Sequence, residues 1–327
     1  MLVAVSYPVD DGLHGVIEEV LGEEAELAYL PRLTGNDERM AMLARARVLI
    51  GLALAQELPE GALAQSPELA FVQLLSAGAD HIDFRAIPER VTLAGNVGAY
   101  AKPMAEHVMA MALALAKRLP EGHAALARGE FDQMATATLE GGVCAILGFG
   151  GIGSATARLM RAFGVRIHAL NSSGRTAEPV EFIGTLADLD RVLAAADVLV
   201  IALPLTSETQ GLIGRRELEL MKPGAILVNV ARGAIVDERA LYEHLRANPR
   251  FSAGIDAWWQ EPLHGGTFTT RYPFFELPNV LGSPHNSGIV PGIMRFAAAQ
   301  AAQNVRAYLR GERVRGIMRR EDYLPGR

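Results

Sequence analysis

Six residues constrain this chain more than any others: Gly148-Phe149-Gly150-Gly151-Ile152-Gly153. They follow an apolar run, Val143–Leu147, and precede a helix-like stretch, Ser154–Phe163, that Gly164 ends. The next apolar run, Val165–Leu170, completes a strand–helix–strand unit. The spacing G-x-G-x-x-G is weak by itself, but between a strand and a helix each glycine has a physical job. Gly148 permits the tight turn, Gly150 lets backbone approach a pyrophosphate, and Gly153 lets helix and strand pack closely. With Gly151 and Ile152 they form a helix N-terminus, whose free N–H groups and partial positive charge suit phosphates. A bound dinucleotide is the expectation.

The end of the following strand selects the cofactor. A site for NAD usually carries Asp or Glu about 18–20 residues on, which bonds the ribose hydroxyls and repels a 2′-phosphate. Here the stretch is Asn171-Ser172-Ser173-Gly174-Arg175, with no carboxylate before Glu178. Ser172 and Ser173 can donate to a phosphate and Arg175 can pair with it. NADP is therefore preferred to NAD.

Strand-like and helix-like runs alternate through most of the chain, as in α/β architecture with parallel sheets. One series comprises Leu2–Ser6, Ala25–Leu30, Val48–Leu52, Phe71–Leu75 and Val91–Ala94. A second starts at Val143–Leu147 and continues with Val165–Leu170, Val198–Leu203, Ala225–Val230, Ser252–Ile255 and Asn279–Leu281. A chain of 327 residues is long enough for about two domains. Between the series, Pro103 fits the first position of a helix, and Met104–Leu119 is apolar nearly all round until Pro120. Such a helix is expected to be buried between domains or subunits. A last helix spans about Ile293–Leu309.

Composition removes several classes. Net charge is −6 and half the residues are hydrophobic, which argues against a disordered chain and a generally basic nucleic-acid binder. The seven arginines from Arg306 to Arg327 are mixed with Glu312, Glu321 and Asp322 and read as a solvated tail. The lone Cys144 excludes an internal disulfide framework and a cysteine zinc site, and reads as a small buried apolar residue. His14, His81, His123, His168, His244 and His264 show no ligand spacing, so no metal site is expected. The apolar run Val108–Ala116 is nine residues, short of the roughly 18 of a membrane span. No basic leader precedes the N-terminal apolar run, so a cytoplasmic protein is expected, without membrane or nucleic-acid partner.

In open α/β sheets, ligands sit beyond the carboxyl ends of the strands. In the second series Arg232 follows Ala225–Val230, Glu261 follows Ser252–Ile255, and His285 follows Asn279–Leu281. An arginine can grip a carboxylate with two parallel hydrogen bonds. A histidine can give or take a proton near neutral pH, and a neighbouring glutamate would orient its ring and favour its charged form. With a hydride cofactor, these groups describe the reversible reduction of a 2-oxo acid. His107, which follows Glu106 in the first turns of a buried helix, reads as structural.

The chain resembles the D-isomer-specific 2-hydroxyacid dehydrogenase family over essentially its whole length. The matching runs include Ser76–Asp83, Met104–His107, Gly148–Gly153, Leu203–Thr209, Met221–Gly224, Val228–Gly233, Asp256–Pro262 and Ser283–His285. The resemblance implies a catalytic arginine, glutamate and histidine at Arg232, Glu261 and His285, whose gaps of 29 and 24 residues suit the family. It implies that backbone around Ala77 and Gly78 holds the substrate carboxylate with Arg232. It places further cofactor contacts at Pro204, Thr209, Val230 and Ala231, and has Asp256 bond the nicotinamide amide. The implied architecture is a Rossmann dinucleotide-binding domain, 98–288, inserted into a flavodoxin-like doubly wound substrate domain, 1–97 with 289–327. The catalytic cleft would lie between them, and a homodimer through the cofactor domain would bury the apolar helix after Pro103.

The chain departs from the family's commoner forms at Lys102-Pro103, Asn171 and Trp258-Trp259; the tryptophans suit either core packing or an active-site wall. Glu261 argues against formate dehydrogenase relatives, which typically have glutamine there. The loop Gly51-Leu52-Ala53-Leu54-Ala55-Gln56 is small and apolar and offers no cation to a phosphate-bearing side chain. Glyoxylate or hydroxypyruvate is the preferred substrate. The alternatives are a dinucleotide-sensing protein like the family's co-repressors, and hydride transfer involving a non-carboxylate such as phosphite.

Overall fold

The computed structural model describes residues 1–262 and 267–323; His264 and Arg327, singled out above, lie outside them. The chain forms two compact units, Met1–Tyr100 with Val290–Arg327, and Ala101–Ile289. The breaks thus fall after 100 and 289 rather than after 97 and 288. Tyr100 stays with the first unit because its hydroxyl donates to the Leu75 carbonyl at 3.0 Å, and a helix starts at the next residue.

In the first unit, strands β1 (Leu2–Val5), β2 (Glu26–Tyr29), β3 (Val48–Gly51), β4 (Phe71–Leu74) and β5 (Thr92–Ala94) pair in parallel, in the order β2-β1-β3-β4-β5. This is the flavodoxin-like order. The two-residue period of a strand feeds two cores. Val3 and Val5 join Ile17 and Leu21 of α1 (Asp11–Leu21) and Ala298, Ala301 and Val305 of the last helix, Ile293–Leu309. Leu2 and Ala4 join Leu43 of α2 (Asn36–Arg45) and Leu54 of α3 (Leu54–Glu57) on the other side. Both faces are covered, so the strands read as continuous apolar runs.

The arginine-rich end is not simply a solvated tail. Residues Gly316 to Met318 pair along β5, through an antiparallel bridge between Ile317 and Ala94 and the Met318 N–H to the Leu93 carbonyl at 2.9 Å. Arg320 donates to the carbonyls of Phe84, Ile87 and Pro88 at 2.9, 2.6 and 2.6 Å. The segment thereby protects a sheet edge.

The second unit has seven parallel strands: β6 (Val143–Leu147), β7 (Arg166–Leu170), β8 (Phe182–Gly184), β9 (Val198–Ile201), β10 (Ile226–Asn229), β11 (Ser252–Ile255) and β12 (Val280–Gly282). Their order, β12-β11-β10-β9-β6-β7-β8, reverses between β6 and β9, the doubly wound arrangement of a Rossmann domain. Strand β8 escapes the sequence reading because it is three residues long and only partly buried. Cys144 lies fully buried in β6, where burial pushes its thiol upward.

The apolar helix is α4 (Ala101–Ala116). Within its own unit, α4 packs on α6 (Gly151–Ala162) and on the sheet. Ala101 and Ala105 meet Ala155 of α6 in one small-residue cluster, so the two helices approach closely. Pro103 sits within its first turn rather than opening it. The helix ends because Arg118 adopts a left-handed backbone, and Pro120 then starts α5 (Leu119–Ala127). The remaining helices are α7 (Leu189–Ala195), α8 (Arg215–Leu220) and α9 (Glu238–Ala247). Among the described residues no helix is long and apolar enough to cross a membrane.

Ala105 is 1% exposed at the α4–α6 contact. Overfilling a packed site costs typically about 1–3 kcal/mol, so Ala105→Leu is expected to lower the urea midpoint correspondingly. An unchanged midpoint would contradict this account of α4.

Candidate active site

Because β6 and β9 to β12 run parallel, their C-terminal ends share one edge of the second unit's sheet. The glycine turn leaves this edge after β6. Gly148 has φ +94°, and a Cβ there would meet Ala202 O and the Leu203 nitrogen, at the end of β9. A Cβ on Gly153 would collide with the Gly148 carbonyl and approach the Ile146 side chain. These two positions admit only glycine. Gly150, by contrast, opens on space: a Cβ there meets nothing within 4 Å. Gly150 precedes α6, which Gly151, Ile152 and Gly153 begin, and no side chain caps it. Open room and uncapped amides fit a dinucleotide pyrophosphate.

Beyond β7, Asn171 closes its own turn. Its Oδ1 accepts from the Ser173 N–H at 3.1 Å and the Ser173 hydroxyl at 3.2 Å, and its Nδ2 donates to the Arg175 carbonyl at 2.9 Å. Ser172 and Arg175 are exposed at the tip of this turn. After β9, Pro204 is exposed, whereas the Thr209 hydroxyl donates back to the Pro204 carbonyl at 2.7 Å. Thr209 is 5% exposed, so its side chain is taken up in closing the 204–209 loop. Val230 and Ala231 are buried in the turn after β10.

Three neighbouring strands carry the chemically capable side chains. After β10, buried Asn229 accepts from the Ala231 N–H at 3.0 Å and donates to the Arg232 carbonyl at 2.9 Å, which fixes the turn presenting Arg232. A Cβ on Gly233 would clash with backbone of Trp258 and Trp259, so this turn lies directly against the chain leaving β11. After β11, Glu261 turns back: Oε1 accepts from the Trp258 N–H at 2.7 Å, and Oε2 lies 2.7 Å from Nδ1 of His285, which follows β12. A carboxylate only accepts, so His285 carries its hydrogen on Nδ1 and presents Nε2. The side chains of His285 and Glu261 are 24% and 12% exposed; the pair is sheltered but reachable.

His285 has φ 50°, in the left-handed region. For a residue other than glycine this costs on the order of 1–3 kcal/mol and persists only where surroundings over-determine it. Asp256 supplies much of that restraint. Its carbonyl accepts from the His285 N–H at 3.0 Å. Its carboxylate accepts from the Ser283 hydroxyl at 2.5 Å, the Asn286 N–H at 3.1 Å and the Ser287 N–H at 3.2 Å. Trp258 adds its indole N–H to the Ser283 carbonyl at 2.9 Å. Burial by itself would raise the Asp256 carboxyl, but hydrogen bonds from Ser283 and Ser287 and the nearby His107 outweigh it and hold it below the usual carboxylate range.

Asp256 is fully buried, and its carboxylate, engaged by protein donors, supports the His285 turn. Thr209 likewise serves its own loop. Trp258 and Trp259 are packing residues: Trp259 stacks on Phe274 with ring centres 5.3 Å apart and donates to the Val236 carbonyl at 2.7 Å. Ala77 and Gly78 belong to the first unit, just beyond β4, where the Ser76 hydroxyl donates to the Gly78 carbonyl at 2.9 Å. His107 reaches the network through Ser283, at 2.9 Å, a contact that no local pattern signals. Among the described residues no cluster of three or more His, Cys, Asp or Glu side chains is arranged to hold a metal ion.

A parallel dinucleotide fold with an arginine, a glutamate and a histidine on adjacent strand ends defines a class of nicotinamide-dependent oxidoreductases. The chain belongs to the D-isomer specific 2-hydroxyacid dehydrogenase family: the model of that family's NAD binding domain matches residues 109–287. It is 34% identical over 269 residues to glyoxylate reductase of Aeropyrum pernix, covering 79% of each chain. It is 29% identical to D-3-phosphoglycerate dehydrogenase of Methanocaldococcus jannaschii over 95% of its own length but only 58% of that relative's. Among solved structures, a family member from Xanthobacter autotrophicus Py2 in complex with NADPH and MES superposes with TM-score 0.77 at 26% identity, covering 97% of this chain and 98% of that one.

The depressed Asp256 carboxyl makes stability pH-dependent. Its contribution is complete above the unfolded-state value, roughly 3.9, and is lost as pH falls through the lower folded-state value. Asp256→Asn is therefore expected to be destabilised relative to the parent at pH 6, with the gap narrowing toward pH 3. Denaturant titrations across that range check it; a gap that widens on acidification would contradict it.

Proposed function

We propose that the chain reduces a small 2-oxo acid to the D-2-hydroxy acid, and runs the reverse reaction, with a nicotinamide cofactor. The carrying observation is the 2.7 Å contact between His285 and Glu261 beside the Arg232 turn. Bound at the glycine turn, the cofactor supplies the hydride. Arg232 grips the substrate carboxylate with its forked donors. His285 delivers a proton from Nε2 to the carbonyl oxygen, and Glu261 holds the ring and balances its positive charge. Such proton transfer contributes about 10²–10⁴-fold, so His285→Ala is expected to lower kcat by that order. Near-normal turnover would contradict the role, and tight cofactor binding with no turnover on any 2-oxo acid or phosphite would favour a sensing protein.

NADP is the proposed cofactor. Arg175 is exposed and makes no ion pair with another described residue, while Glu178, the first carboxylate after β7, is paired with Arg158 and Arg161. A charged hydrogen bond is worth about 1.5–3 kcal/mol. Arg175→Ala is accordingly expected to lower kcat/KM for NADPH about tenfold or more and leave NADH little changed. Parent kcat/KM tenfold better with NADH would contradict the preference.

Glyoxylate or hydroxypyruvate is the proposed substrate, in keeping with the Aeropyrum relative's name. The loop after β3 carries no cation, and Glu57 binds its amides, accepting from Leu52 at 3.1 Å and Ala53 at 2.7 Å. A carboxylate at that position disfavours a phosphorylated side chain, as in 3-phosphoglycerate. A homodimer through the second unit remains part of the proposal. Leu119 and Leu126, each 60% exposed and seven residues apart on α5, supply apolar surface for it.

A further inference from the structure

We propose that His107 is a positioning residue for His285, acting through Ser283 and Asp256. The proposal rests on the acid–base reading of His285 given above, and its basis is a count of hydrogens. Asp256, as a carboxylate, only accepts. Ser283 has a single hydroxyl hydrogen, and its Oγ lies 2.5 Å from Asp256 Oδ1, so that hydrogen points to the carboxylate. Ser283 Oγ must then accept from its other partner, Nε2 of His107 at 2.9 Å. His107 therefore carries a hydrogen on Nε2. The other tautomer would set a nitrogen lone pair against an oxygen lone pair.

The chain of bonds leads from α4 to the reacting histidine. His107 orients Ser283, Ser283 anchors Asp256, and Asp256 holds the amides of Asn286 and Ser287 and accepts the His285 N–H through its carbonyl. The left-handed residue is thus gripped on both sides. His107 also lies 3.7 Å from Asp256 Oδ1, and its side chain is 24% exposed while that of Asp256 is fully buried. In this relay His107 meets Ser283 and Asp256. Without its hydrogen bond the Ser283 hydroxyl is free to rotate, the 283–287 turn slackens, and His285 moves toward an ordinary negative φ, away from Glu261. Misplacement of this kind affects the chemical step rather than cofactor binding.

Two measurements test it. The first needs no turnover: nitrogen NMR of histidine-labelled protein, with His107 assigned from the His107→Gln spectrum, is expected to show the Nε2–H form. A neutral Nδ1–H form would overturn the proposal. The second is steady-state kinetics. His107→Ala is expected to lose about tenfold or more in kcat with little change in the cofactor KM. His107→Gln, which places an amide N–H near the Nε2 position, should recover most of the loss. Ser283→Ala should lose as much as His107→Ala, and the double variant little more than either single one, because both cut the same relay.

Parent-like kcat in His107→Ala, losses that add in the double variant, or no recovery in His107→Gln would each overturn the proposal. Should His107→Ala fail to fold, the tautomer, Ser283→Ala and His107→Gln still decide it. His285→Ala separates the two readings. If it keeps turnover, the acid–base role itself fails. If it is inactive while His107→Ala is normal, only the positioning role fails.

Discussion

Parallel pairing of β9 to β12 is the constraint on which the site depends. Strands that run the same way must end on the same edge, and neighbours lie about 4.8 Å apart. Short turns after β10, β11 and β12 therefore deliver Arg232, Glu261 and His285 to one edge of the sheet from positions far apart in sequence. The same geometry puts the glycine turn beside them, at the point where strand order reverses. Continuous apolar strands, covered on both faces, make that edge rigid, so precision comes from the core rather than from the loops.

What the sheet cannot supply is the left-handed backbone of His285, and the fold provides it with a buried carboxylate. Asp256 sits fully inside, satisfied by a hydroxyl and two amides. Burial of a charge is unfavourable unless donors compensate it, and here the compensating donors belong to the very turn that must be held. Trp258 binds the same turn from its indole and Glu261 from its backbone amide. One aromatic residue thus supports both members of the histidine–glutamate pair.

Features encoded within a few residues of one another are legible in the sequence; those made by distant contacts are not. Both strand series and the glycine turn follow from local apolar runs and spacing, and the observed strands end within one residue of the expected ones except at the end of β9, which stops two residues early, and at the unanticipated β8. Glu261 and His285 stand out because each follows a strand, and the structure brings them into contact. The surroundings of α4 are only partly legible: nothing near Ala101 and Ala105 announces that they meet Ala155 of α6. His107 and Ser283 are 176 residues apart, so nothing near either one announces the other. Asp256 and Thr209 show the converse limit. Residue type marks them as polar, but only the fold shows that their side chains are engaged internally.

The central claim is that His285 and Glu261 act as one acid–base unit, and a double-mutant cycle on kcat tests it most directly. His285→Ala, Glu261→Gln and the double variant would be assayed with NADPH and glyoxylate. If Glu261 works through the imidazole it holds, Glu261→Gln slows the parent enzyme and has no further effect once His285 is alanine. A Glu261→Gln loss of the same factor in both backgrounds would contradict the account.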